Sequence, residues 1–156
     1  MRKTGEPKKV CILVATSGDT GKAALEGFRD VPETGILVFY PRDGVSDVQK
    51  LQMQSQAGAN VSVCAVEGNF DDAQTGVKQI FGDAAIAERL SDRGWFLSSA
   101  NSINWGRLLP QIVYYISAYC DEVNTGRIAM GEKINFVVPT GNFGNILAGW
   151  YAKQMG

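Results

Sequence analysis

A chain of 156 residues with 45% apolar side chains can bury one ordinary core, and nothing in its composition points to disorder. Its 15 basic and 16 acidic residues leave a net charge of -1, which removes the electrostatic grounds for a nucleic-acid or anionic-membrane partner. The absence of histidine excludes Ser-His and Cys-His nucleophile systems and the commonest metal sites. No metal is expected, and any catalysis must rest on lysine, a carboxylate or a cofactor.

Residues 1–9, "MRKTGEPKK", read as a basic, solvated lead-in without an apolar h-region, and no later run approaches membrane-spanning length. The expectation is a soluble, unexported chain in the cytoplasm. The first strand is "VCILVA" (10–15), and the loop "TSGDTGKAA" (16–24) follows it directly. Its Gly21-Lys22 pair invites a nucleotide reading, but Thr16 and Ala23 stand where a Walker A loop needs its first glycine and its Ser or Thr. A helix over 22–30 places Ala24, Leu25 and Phe28 on one side. After the strand "ILVFY" (36–40), a helix over 46–57 puts Val48 and Leu51 on its apolar face and stops at Gly58.

The strand "VSVCAV" (61–66) leads into residues 71–90, which read as two helices broken near Gly82, and then into the strand "WFLSS" (95–99). A long apolar helix covers "NWGRLLPQIVYYISAYCDEV" (104–123), with Pro110 either kinking it or marking its first turn. A fifth strand, "INFVVP" (134–139), precedes "TGNFGN" (140–145) and a helix from about Asn145. Cys11, Cys64 and Cys120 are too far apart for a CxxC pair. They read as small core residues in a reducing compartment.

Strands alternating with helices imply parallel pairing and a three-layer α/β/α fold, with ligands outside the carboxyl ends of the strands. Three loops lie there: "TSGDTG", "SSANSINWGR" and "TGNFGN". In the last, Gly141 and Gly144 allow close backbone approach, and the helix behind them presents N–H groups and the positive end of its dipole. The loop fits either a phosphate cradle or an ordinary glycine-rich turn, and its spacing is not the GxGxxG of a dinucleotide site. In the middle loop, Asn101, Ser102, Asn104 and Arg107 supply amides, a hydroxyl and a bidentate cation. The plainer reading makes Ser102 or Asn101 a helix N-cap and leaves Arg107 in solvent.

In this order, "ATSGDTGKAA", "VSDVQKLQMQSQAGANV", "AVEGNFDDAQ", "NSINWGRLLPQIVYY" and "PTGNFGN" resemble the middle part of the threonine synthase family. These are pyridoxal-phosphate enzymes of the tryptophan-synthase-β-like, fold type II superfamily, and the likeness runs from about Val10 to the end. The resemblance implies conversion of O-phosphohomoserine and water to threonine and inorganic phosphate, with pyridoxal phosphate as the electron sink. It gives the cofactor phosphate to Gly141, Asn142, Phe143, Gly144 and Asn145, and the substrate's amino-acid end to Ser17, Gly18, Asp19 and Thr20. Many superfamily members carry asparagine where Asp19 stands, so backbone amides and the helix end are expected to hold the substrate carboxylate. Thr20, Asn101, Ser102, Arg107 and Asn142 match the pocket for the substrate phosphate.

One departure is decisive. The family's Schiff-base lysine lies in a Phe-Lys-Asp motif before SGDTG, and no such motif occurs here; the segment that contacts the cofactor's ring nitrogen is also missing. The chain is therefore expected to be a central fragment, inactive alone and completed by the remainder of a parent chain. A naturally truncated homologue without activity is the other reading. The expected division is a lead-in (1–9), the parent's smaller α/β domain (10–130) and the start of its larger cofactor domain (131–156). The fifth strand, deprived of its neighbours, would be displaced or pair with another copy of the chain. Two rivals differ in class: another pyridoxal-phosphate lyase, such as a serine or threonine dehydratase, which would not need the Asn101, Ser102 and Arg107 cluster, and a non-catalytic α/β domain.

Overall fold

The computed structural model describes residues 5–101, 104–139 and 142–156. Ser102, Ile103, Thr140 and Gly141, all within expected site loops, lie outside them, as do the first four residues of the lead-in. The chain forms two compact units, 1–101 and 102–156.

In the first unit, strands β1 (Lys9–Ala15), β2 (Thr34–Pro41), β3 (Val61–Val66) and β4 (Trp95–Ser99) form one parallel sheet in the order β3-β2-β1-β4. Ile12 sits opposite Ile36, and Leu13 opposite both Leu37 and Ser99. The continuous apolar runs of β1 and β2 have a physical cause: both strands are covered on two faces. On one face Val10, Ile12 and Val14 of β1 and Ile36, Val38 and Tyr40 of β2 pack with Ala24 and Leu25 of α1 (Asp19–Phe28) and Met53 of α2 (Asp47–Gln54). On the other, Leu13 and Ala15 pack with Ala73 and Val77 of α3 (Phe70–Gly82). The expected three-layer α/β/α arrangement follows from this alternation.

Asp83 ends α3 and opens α4 (Ala84–Asp92), so the break falls one residue past Gly82; its carboxylate accepts the N–H groups of Ala85 and Ile86 at 2.8 and 3.1 Å. The expectation for α2 needs correcting. Val48 and Leu51 are 65% and 64% exposed, and the residue turned inward is Met53. A capping box between Ser46 and Gln49 fixes the start of the helix, which stops at Gln54, short of Gly58, with Ser55 as its C-cap.

The second unit holds α5 (Trp105–Asn124) and α6 (Gly144–Gln154). Leu108, Ile112 and Tyr115, spaced along one stripe of α5, bury against Ala148 of α6. The N-cap of α5 is Asn104, which accepts the Gly106 N–H at 2.8 Å, rather than Ser102 or Asn101. Pro110 stands inside the helix, in its second turn. The fifth strand is not formed: residues 132–139 carry no regular structure, and Val137 is 96% exposed. A strand exists only through a ladder, and among the described residues this segment has no sheet neighbour.

The cysteine expectation also fails in part. Cys11 is half-buried, and its burial raises the thiol pKa, but Cys64 on edge strand β3 and Cys120 on α5 are exposed. No helix among the described residues is long and apolar enough to cross a membrane.

Candidate functional site

The chain runs from β1 to β2 to β3 across one side of the sheet, then returns to place β4 on the other side of β1. The loops after β1 and β4 therefore diverge at the reversal of strand order, which is where doubly wound sheets leave a crevice at their carboxyl ends. Ser17 to Thr20 and Asn101 stand at that point.

The loop after β1 is shaped by Thr16, which is 2% exposed. Its hydroxyl accepts the N–H groups of Gly18 and Gly21 at 3.1 and 3.0 Å and lies 2.9 Å from the Gly18 carbonyl, to which it donates. Gly21 is required by this fit, since a Cβ there would lie 2.4 Å from Thr16 Cγ2 and 3.0 Å from Val38. The result is a tight turn that brings Ser17 and Asp19 to the surface, with Gly18 and Thr20 half-buried. Asp19 opens α1, and its Oδ1 accepts a hydrogen bond from Gln49 Nε2 at 3.0 Å. Lys22, whose pairing with Gly21 suggested a nucleotide loop, turns instead to Glu26 at 3.4 Å and to Gln56. Gln56 Nε2 donates to Glu26 Oε2 at 3.0 Å, and this bond first, then Lys22 and Arg29, holds the Glu26 carboxyl below the usual glutamate range.

Asn101 has a definite structural task. Odd-numbered residues of β1 direct their backbone groups toward β4, as Lys9 does to Gly94, whereas Val10 and Thr16 bond toward β2. Leu13 and Ser99 are the last β1–β4 pair, so Ala15 reaches past the end of its neighbour. Asn101 fills the gap: Oδ1 accepts the Ala15 N–H at 3.2 Å, and Nδ2 donates to the Ala15 carbonyl at 2.9 Å. Its side-chain amide acts as one more rung of the ladder and satisfies backbone groups at a residue 2% exposed.

In the second unit, Arg107 is exposed in the first turn of α5. A cation there opposes the helix dipole, by about 0.3–1 kcal/mol. Asn142 and Phe143 are exposed ahead of α6, and Gly144, its first residue, is buried. Helices α2, α3, α4 and α5 are each capped by the side chain of their own N-cap residue: Ser46, Asn69, Asp83 and Asn104. The N-caps of α1 and α6, Gly18 and Phe143, make no such bond. No acidic residue stands in the first turn of α6. Amide donors without a local carboxylate suit a phosphate dianion, so this end fits the phosphate of pyridoxal phosphate. Asn145 turns sideways to α5, where Gln111 and Tyr115 hold it.

The structure thus gathers Ser17, Gly18, Asp19, Thr20 and Asn101 at one end of the sheet, and Arg107, Asn142, Phe143, Gly144 and Asn145 on the α5–α6 pair. Thr16, Gly21, Gln111 and Tyr115 were not anticipated. The only sequence signal for the first two is a hydroxyl residue directly after a buried strand with a glycine five places on.

No protein-family model matches the chain. It is 51% identical over 151 residues to the human protein "Threonine synthase-like 1", an alignment covering 93% of this chain and 20% of that one. Identity to the threonine synthase of Pseudomonas aeruginosa is 44% over 156 residues, covering 100% of this chain and 31% of the relative. The crystal structure of threonine synthase from Brucella melitensis with bound pyridoxal phosphate superposes with a TM-score of 0.74 at 44% identity, over 99% of this chain and 31% of the other. The fold is that of a fold type II pyridoxal-phosphate enzyme, and the chain spans less than a third of the length of these relatives.

Proposed function

We propose that this chain, homologous to the threonine synthases over nearly its whole length, is their central part: the segment that holds the substrate and the cofactor phosphate. In the complete protein it would serve a carbon–oxygen lyase that forms threonine and inorganic phosphate from O-phosphohomoserine and water. The observation that carries this reading is the 44% identity to a threonine synthase, sustained across all 156 residues.

The roles follow from the chemistry of each group. The amides of the Ser17–Thr20 turn and the amino end of α1 receive the substrate carboxylate, with the Asp19 charge drawn aside by Gln49. Asn142, Phe143, Gly144 and Asn145, with Gly141, form the cradle for the cofactor phosphate. Pyridoxal phosphate, when bound, supplies the electron sink that makes the substrate's α and β protons removable. In the second unit, Arg107, Ser102 and Asn142 compensate the charge on the departing phosphate, each charge-assisted bond contributing about 1.5–3 kcal/mol. Asn101 supports the substrate loop of the first unit, its amide fixing the β1 exit through Ala15.

The lysine that anchors the cofactor lies outside these 156 residues, so the chain alone is inactive. Residues from about 131 onward begin the larger cofactor domain of the parent, and 134–139 become a strand there; in isolation that segment is displaced or pairs with a second copy of the chain. A biosynthetic enzyme with reduced cysteines suits the cytoplasm.

The test is Arg107→Lys in the complete enzyme. An ammonium cannot reproduce the guanidinium fork, and kcat/KM for O-phosphohomoserine should fall by about tenfold or more. An unchanged kcat/KM would remove Arg107 from the phosphate pocket. Loss confined to a dehydratase-type substrate such as serine would favour the other lyase class.

A further inference from the structure

We propose that Tyr115 and Gln111 are positioning residues for the phosphate-holding end of α6, acting through Asn145; the inference rests on the function proposed above. Arg107, Gln111 and Tyr115 recur every four residues and so form one stripe of α5. Gln111 Nε2 donates to the Arg107 carbonyl at 2.9 Å, which orients the amide so that Oε1 accepts from Asn145 Nδ2, also at 2.9 Å. The Tyr115 hydroxyl donates to Asn145, lying 2.8 Å from its backbone carbonyl and 2.5 Å from Oδ1. Every polar atom of the Asn145 side chain is thereby engaged by α5, and Asn145 is the second residue of α6.

Two further contacts fix the tyrosine itself. Its ring lies where a Cβ on Gly149 would be, 2.8–2.9 Å from the ring atoms, so Gly149 allows α6 to approach face to face. The ring edge also meets Phe136, with centroids 4.8 Å apart and planes at 72°. Tyr115 is 8% exposed, and burial raises its pKa, so the phenol remains a proton donor through neutral pH. Bonds to both ends of the Asn145 amide, from side chains one turn apart on α5, resist rotation of α6 about its axis and sliding along α5. First-turn amides can hold an anion only if their directions are fixed, so the clamp sets the geometry of the cradle from behind while touching neither cofactor nor substrate. The same chain begins at the Arg107 carbonyl, which ties the turn bearing the leaving-group cation to the helix bearing the cofactor phosphate.

The experiment uses the full-length protein containing this segment. Tyr115→Phe removes one oxygen and keeps the packed ring; Gln111→Ala removes a half-buried side chain that forms no part of the core. Pyridoxal-phosphate affinity is measured by fluorescence titration, the phosphate environment by the phosphorus NMR shift of the bound cofactor, and folding by the thermal midpoint of the cofactor-free protein. Each variant should weaken cofactor affinity by about tenfold and move the phosphorus signal, with the cofactor-free midpoint little changed. Gln111→Ala combined with Asn145→Ala should lose no more than the worse single variant, because the Gln111 amide meets α6 through the Asn145 side chain. Affinities within twofold of wild type, or losses that add independently, would overturn the assignment. Wild-type protein that binds the cofactor and forms threonine while the variants behave normally defeats the positioning role alone. Wild-type protein that does neither defeats the function on which it rests.

Discussion

The two units of the chain make opposite use of apolar residues. In the first, β1 and β2 are sealed on both faces, and Val14, Leu25, Val38 and Met53 have no exposure. In the second, α5 and α6 bury one shared stripe and leave Trp105, Leu109, Val113, Tyr114 and Trp150 at least half exposed. The sequence patterns are equally apolar in both. What separates them is partners: the sheet finds its covering helices within residues 5–101, whereas the stretch 132–139 finds no strand to pair with among the described residues. A local pattern therefore decides what an element is able to become, and its neighbours decide whether it does.

The largest expected effect tests that contrast directly. Leu25→Ala opens a cavity in a sealed core and should cost about 2–5 kcal/mol, whereas Leu109→Ala, on the exposed side of α5, should stay within about 0.5 kcal/mol. Urea unfolding followed by circular dichroism compares them. Equal losses would mean that the α5 face is covered in solution.

A smaller effect sharpens the account of the first loop. Gly21→Ala forces Cβ against Thr16 and Val38, and overpacking of this kind costs about 1–3 kcal/mol, more than the gain of roughly 1 kcal/mol in helix propensity. Net destabilisation together with faster exchange of the residue 21 amide is expected. Stabilisation would mean that the Thr16 turn is looser than described.

The smallest effect is electrostatic. Glu26 has its pKa depressed by Gln56, Lys22 and Arg29, so its contribution is present above the unfolded-state value, about 4.3, and is lost as pH falls through the folded-state value. Glu26→Gln should lower the thermal midpoint slightly at pH 7 and leave it unchanged in acid, where the wild-type carboxyl is protonated, so that the variant's profile is flatter below about pH 4.3. A variant that still loses stability as steeply in acid would assign that slope to other carboxylates.

Much of the first unit was legible in the sequence because its signals are short-range. Four short apolar runs became four strands, and the α3–α4 break fell beside Gly82. The misreadings have one kind of cause. Val48 and Leu51 were placed by periodicity, but the Ser46–Gln49 capping box and the fit of Met53 set how α2 is turned. Cys64 lies in an apolar run, yet its strand is an edge. For the site, the three loops could be seen as loops, since glycines and small polar residues after a strand mark them. The residues that hold them could not: Asn101 reaches back to Ala15 across 86 positions, and Tyr115 meets Asn145 across 30. Such pairs are set by the fold and leave no local pattern.

The central claim is that these 156 residues carry the phosphate and substrate loops of a threonine synthase without its anchoring lysine. It is tested most directly by incubating the purified chain with pyridoxal phosphate and O-phosphohomoserine, reducing with borohydride and mapping any adduct by mass spectrometry. The account predicts scattered trace labelling and no threonine. Stoichiometric labelling of a single lysine together with threonine formation would contradict it.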